Sequence, residues 1–237
     1  MNLELFLEQK ITFKYHDTLN QKIWSGNKLK PEVKMKLVRI GQAWAEFSNI
    51  PSSAILDMIL VGGNANYNYT EFSDIDLHLV VDKDKLPDCP DLIDDYLRDK
   101  KQLWSLTHNI KIYGHDVELY AEEENAERPS NQGVYSVKFG KWLKLPKFED
   151  PQIDKRLLKK KTKDIMDKID LFIDGKSNDI LEMKRLKEKL RGMRSSSLRK
   201  GGEFSIENLV FKELRNTGYL QKFSEYITSK KVKELSL

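Results

Sequence analysis

A chain of 237 residues that is 39% hydrophobic and 33% charged, with apolar and aromatic residues recurring along its length, can bury the core of one large domain or two small ones, which excludes disorder as its main state. No run approaches the ~18 apolar residues of a membrane span, and Met1-Asn2-Leu3-Glu4 lacks the basic-then-apolar start of a secretory signal. Cys89 is the single cysteine, which excludes an internal disulfide and points to a reducing, cytoplasmic setting.

The first thirty residues are polar and weakly periodic and read as an N-terminal helix or arm. Pro31 suits a first helical position, and Leu37, Ile40, Trp44 and Phe47 then mark one helix face that Pro51 ends. Ala54 to Val61 is short and almost wholly apolar, as a central strand is, and Gly62-Gly63 closes it. Ile75 to Val81 alternates strictly, with Ile75, Leu77 and Leu79 on one side and Asp74, Asp76 and His78 on the other. A helix is expected over Asp91–Leu106, strand segments over 110–113 and 116–120 with Gly114 between them, and an extended region over 132–146. Cys89, between Asp88 and Pro90, reads as a passive turn residue.

Beyond Pro151 the pattern is helical. Leu158, Ile165, Ile169 and Phe172 form one stripe and Met183, Leu186, Leu190 and Met193 another, with a turn at 174–178, so a helical hairpin is expected. Ser205 can cap a third helix, and Gly218 separates a last one ending near Ile227. Gly201-Gly202 reads as a helix break. The elements describe an α+β chain in two parts, 1–150 with strands and helices and 151–237 with helices alone. The net charge of +4 divides the same way: 22 of the 41 Lys and Arg, but 13 of the 37 acids, fall in 151–237, leaving a basic rear part and an acidic front. Lys-rich helices of this kind can hold a polyanion or be merely solvated.

The chemistry concentrates between Val61 and Leu77. A buried strand runs into Gly62-Gly63, then a short polar segment containing Asn64 and Ser73, then Asp74-Ile75-Asp76 at the head of a second strand. Glycines let backbone N–H groups approach phosphate oxygens, and Asn64 and Ser73 add small donors. Asp74 and Asp76, at i and i+2, project to one side. At roughly 4 Å and an effective dielectric near 20 their repulsion is about 4 kcal/mol, which a divalent cation, a nearby Lys or Arg, or His78 could offset. A third acid comes from His115-Asp116-Val117-Glu118-Leu119-Tyr120: Glu118 is preferred and Asp116 held in reserve. His16, His78, His108 and His115 show no zinc spacing and read as ordinary or supporting residues. Tyr67 and Tyr69 could stack on a base or pack the loop, and Trp44, Trp104 and Trp142 read as core.

The glycine pair, ten intervening residues, Asp-Ile-Asp and then Glu118 between hydrophobic neighbours resembles the polymerase-β-type nucleotidyltransferase superfamily. The wider text, through Leu103-Trp104 to Ile110, Val117 to Tyr120, Gly133 to Ser136 and Gly201 to Leu209, is similar to small nucleotidyltransferases of tailed phages, and this likeness spans most of the chain after residue 30. The resemblance implies a nucleotidyltransferase-type mixed sheet with flanking helices, followed by a C-terminal helical bundle. It implies two Mg²⁺ (or Mn²⁺) ions held by Asp74, Asp76 and Glu118, with a nucleoside triphosphate such as ATP held by Gly62, Gly63 and Ser73, and Asn64 or Ser73 making up for a lost donor. Many relatives have Ser where Gly63 stands, and the third acid is more often Asp than Glu. The expected reaction is transfer of a nucleoside monophosphate to an acceptor hydroxyl with release of pyrophosphate, inside the host cell for a phage-encoded chain. The acceptor is left open between RNA or tRNA, a protein that receives AMP, and a small molecule, and the alternative is a catalytically inactive nucleotide- or RNA-binding module.

Overall fold

The computed structural model describes residues 11–86, 90–126, 128, 132–149 and 151–236; Cys89 lies outside them. The chain is α+β and forms two compact units. One comprises Lys14–Glu149; the other joins residues 11–13 to 151–236.

In the first unit the segment read as an arm is a packing element instead. Strands β1 (Trp24–Ser25) and β2 (Lys28–Leu29) form a minimal hairpin, and Leu19, Ile23, Trp24 and Leu29 are buried. Two-residue strands carry no periodicity, and the indole of Trp24 is anchored by tertiary contact, stacking on Trp142 at 4.8 Å. Helix α1 (Pro31–Phe47) follows, with proline at its start as expected, and buries Val33, Leu37 and Trp44.

Strands β3 (Ile55–Val61) and β4 (Ile75–Val81) pair antiparallel. Helix α2 (Pro90–Thr107) then carries the chain over to β6 (His115–Glu123), which pairs parallel to β4, the crossover a parallel pair requires. A short β5 (Lys111–Ile112) precedes β6 in a two-residue hairpin whose turn residues, Tyr113 and Gly114, both have positive φ. The extended region 132–146 resolves into β7 (Val134–Ser136) and β8 (Lys141–Lys144). The result is a six-stranded mixed sheet in the order β5-β6-β4-β3-β7-β8.

Alternation sorts the strands' side chains. Met58, Leu60, Ile75, Leu77, Leu79 and Leu119 join the main core with α1 and α2. The other face carries Asp76 and His78 of β4 and Glu118, Tyr120 and Glu122 of β6, all partly exposed, beside a small apolar cluster of Ile59, Val61, Val80 and Val134.

The second unit holds α3 (Lys155–Asp174), α4 (Ile180–Gly201), α5 (Ile206–Asn216) and α6 (Tyr219–Leu235). Asp154 and Asp179 cap α3 and α4 by accepting from Leu157 and Glu182 N–H. Both expected stripes are used: Leu158 and Leu190 meet α5, while Ile169 and Met183 meet Phe223 and Ile227 of α6. Helix α6 runs eight residues past Ile227, because Lys230, Lys231 and Lys233 favour helix without contributing to the apolar stripe. Gly202, at φ +71°, ends α4. No helix among the described residues is long and apolar enough to cross a membrane.

Candidate active site

The strand heads bring three of the expected residues together. Asp76 is the register partner of Val61 on β3 and of Glu118 on β6, so Asp76 and Glu118 stand side by side across the parallel ladder with their side chains on one face. Asp116, the reserve, is exposed and bound to Lys111 at 2.7 Å. Gly62 ends β3 with φ +75°, and a Cβ there would overlap Asp76 Oδ2, so the carboxylate lies directly over the glycine backbone. Gly63 begins a short 3-10 turn, and Ser73 Oγ would lie 3.2 Å from a Cβ at that position. Ser73 Oγ also accepts from Thr70 N–H at 2.9 Å, which closes the loop leading to Asp74.

Asn64 departs from expectation. It is completely buried, and its side chain is engaged within the protein: Nδ2 donates to the carbonyls of Ser73 (3.0 Å) and Asp74 (2.9 Å), and Oδ1 accepts from Asn20 at 2.8 Å. Its amide thus holds the backbone that leads into Asp74. Buried His115 supports the same loop. Its Nδ1 lies 2.7 Å from the Ser73 carbonyl, which can only accept, so Nδ1 carries the proton while Nε2 accepts from Asn20 at 3.1 Å. Asn66 closes the other side, donating to the Gly62 carbonyl and accepting from Gly133 N–H. The loop tyrosines are packed, Tyr67 against Tyr15 and Phe148 and Tyr69 in a stack on His16.

Two side chains meet the carboxylate of Glu118. Tyr120 donates its phenol proton to Glu118 Oε2 at 2.9 Å, and Lys101 of α2 donates to the same oxygen at 3.1 Å while lying over the Tyr120 ring, 3.3 Å from its centroid. Burial, then the charge and hydrogen bond of Glu118, then the charges of Asp76 and Asp74 hold the Tyr120 phenol far above its usual range. All three carboxylates therefore act on one phenol, which stays protonated as a donor. Two residues along, Glu122 lies 3.1 Å from His78 Nδ1 and is also paired with Arg128.

The donor set suits a hard divalent cation: three carboxylates at adjacent strand heads, with a glycine leaving room beneath Asp76. Among the described residues, no group of three or more His, Cys, Asp or Glu is closed into a cation-holding cluster; Glu118 is turned to Lys101 and Tyr120. Comparisons with protein families, with characterised proteins and with solved structures find no match to this chain.

Proposed function

We propose that the chain is a metal-dependent nucleotidyltransferase that moves a nucleoside monophosphate from a triphosphate to an acceptor hydroxyl, with pyrophosphate leaving. The observation that carries this reading is the alignment of Asp76 with Glu118 across β4 and β6, beside Gly62. Asp74, Asp76 and Glu118 would hold two Mg²⁺ or Mn²⁺ ions, which when bound would neutralise the phosphates and activate the acceptor hydroxyl. The protein's own share is positioning. Gly62 and Gly63 offer backbone without side chains where phosphates would approach, with Ser73 beside them; Asn64 and His115 fix the loop that presents Asp74; Tyr120 orients Glu118. Asn68 in the same loop supports a ligand-facing role, because it is buried and neither amide atom has a hydrogen-bond partner among the described residues.

RNA is the acceptor class we favour. Ion pairs of the helical unit include Lys161 with Glu207, Lys163 with Asp167, Lys212 with Glu203 and Lys222 with Asp170. Lys184, Arg185, Lys187, Lys189 and Arg191 of α4 have no ion pair among the described residues. Burial, then the neighbouring Arg191 charge, holds Lys187 below the usual ammonium range, and the cluster is of the sign that a phosphate backbone would meet.

The test is transfer from each α-labelled triphosphate, with Mg²⁺ or Mn²⁺, to a mixture of RNA and protein. We expect salt-sensitive labelling of RNA that falls about a hundredfold or more in Asp74→Ala/Asp76→Ala, the scale of several kcal/mol of metal-held charge stabilisation. Label on polypeptide would reassign the acceptor. Absence of transfer together with absence of triphosphate and metal binding would overturn the reading.

A further inference from the structure

Lys101 belongs to no motif, yet it occupies the position a cation at Glu118 would need. Its ammonium and the Tyr120 phenol both donate to Glu118 Oε2, so an incoming ion that takes that oxygen must displace the ammonium. The helix fixes where the lysine starts: Leu97, one turn before it, and Trp104, one turn after, are buried. Its ammonium lies over the ring of Tyr120, and its flexible four-carbon stem can swing while the helix stays in place. An isolated surface pair would be incidental. This one closes on a carboxylate that stands beside Asp76 on the same sheet face.

We infer, resting on the carboxylate reading above, that Lys101 is a built-in counter-cation: it holds Glu118 in the metal-free protein and yields that oxygen when a divalent ion binds. It thereby stabilises the empty site against carboxylate repulsion and sets a ceiling on metal affinity. Lys101 is a positioning residue in this scheme, with no bond made or broken at its nitrogen.

The experiment is Mn²⁺ titration of the full chain, without nucleotide, followed by the electron paramagnetic resonance of free Mn²⁺. Lys101→Met keeps a flexible apolar side chain of similar length and removes the charge; Lys101→Gln is a second neutral variant should the first melt early. Each neutral variant is expected to bind Mn²⁺ about five- to tenfold more tightly than wild type, and Lys101→Arg to stay within about twofold of it. Adding Glu118→Gln to Lys101→Met should abolish the gain, since the gain acts through that oxygen. Equal or weaker binding by the neutral variants, or a gain that survives Glu118→Gln, overturns the role of Lys101 while leaving the carboxylate site standing. Absence of Mn²⁺ binding in wild type and every variant overturns the carboxylate reading and this inference together.

Discussion

Gly62 is the point where backbone and carboxylate come closest. At φ +75° an L side chain is strained, and its Cβ would overlap Asp76 Oδ2. Gly62→Ala should therefore lower stability by about 1–3 kcal/mol and push Asp76 out of line with Glu118. Denaturant melts together with Mn²⁺ titration check this: a variant that keeps wild-type stability and metal binding would show that the close approach has no part in the site. That Gly62, Asp76 and Glu118 come together was legible in the sequence because the signals are local, a strand ending in glycine and carboxylates at strand heads. The engagement of Asn64 was not legible for a related reason. A small polar residue after two glycines looks like a ligand donor, and only Asn20, far earlier in the chain, and the carbonyls of Ser73 and Asp74 show that its amide is spent inside the protein. Lys101 was not legible, since its meeting with Glu118 depends on how α2 lies along β6.

At the scale of elements, β6 is a ladder of polar side chains at a period of two: Glu118, Tyr120 and Glu122. Burial alone would raise Glu122, but the hydrogen bond and charge of His78, then those of Arg128, outweigh it and hold the carboxyl below its ordinary 4.5. A carboxyl depressed in the folded state stabilises above the unfolded value and loses that contribution as pH falls through the folded one. The stability difference between wild type and Glu122→Gln should therefore be about 1–2 kcal/mol near neutrality and shrink below 4.5. Melts across that range measure it, and a difference independent of pH would mean that the charge of Glu122 does not matter. Apolar periodicity located β3, β4, α1 and α2 well, because burial on one face is what it reports. It placed the end of α6 too early for the same reason: the turns after Ile227 are helical but not buried. The β1–β2 hairpin escaped because four residues are too few to show a period.

For the molecule as a whole, the change of texture near residue 150 marked where the strands give way to helices, while the allegiance of the earliest described residues stayed hidden. Glu213 of α5 is buried and accepts from Thr12 N–H (2.9 Å), Thr12 Oγ1 (2.9 Å) and Phe13 N–H (2.8 Å). Ile11 and Phe13 pack against the helical core. No sequence pattern links positions about two hundred apart, so this contact could only emerge from the fold. Glu213→Ala would leave those donors without their acceptor, and we expect a loss of about 2–3 kcal/mol in urea melts. A loss under ~0.5 kcal/mol, the size of an ordinary surface substitution, would show the contact to be incidental.

That contact also fixes an order of events during synthesis. Thr12 and Phe13 are made before the sheet, but their acceptor on α5 comes after the last strand of the sheet has been completed. The sheet unit, contiguous from Lys14 to Glu149, has all its pairing partners while the helices are still being translated. The helical unit must wait, keeping its opening segment unpaired until α5 appears, so its assembly carries the long-range contacts that make folding slow. The β-rich unit, for which the opposite would be guessed from topology alone, is the one free to finish first.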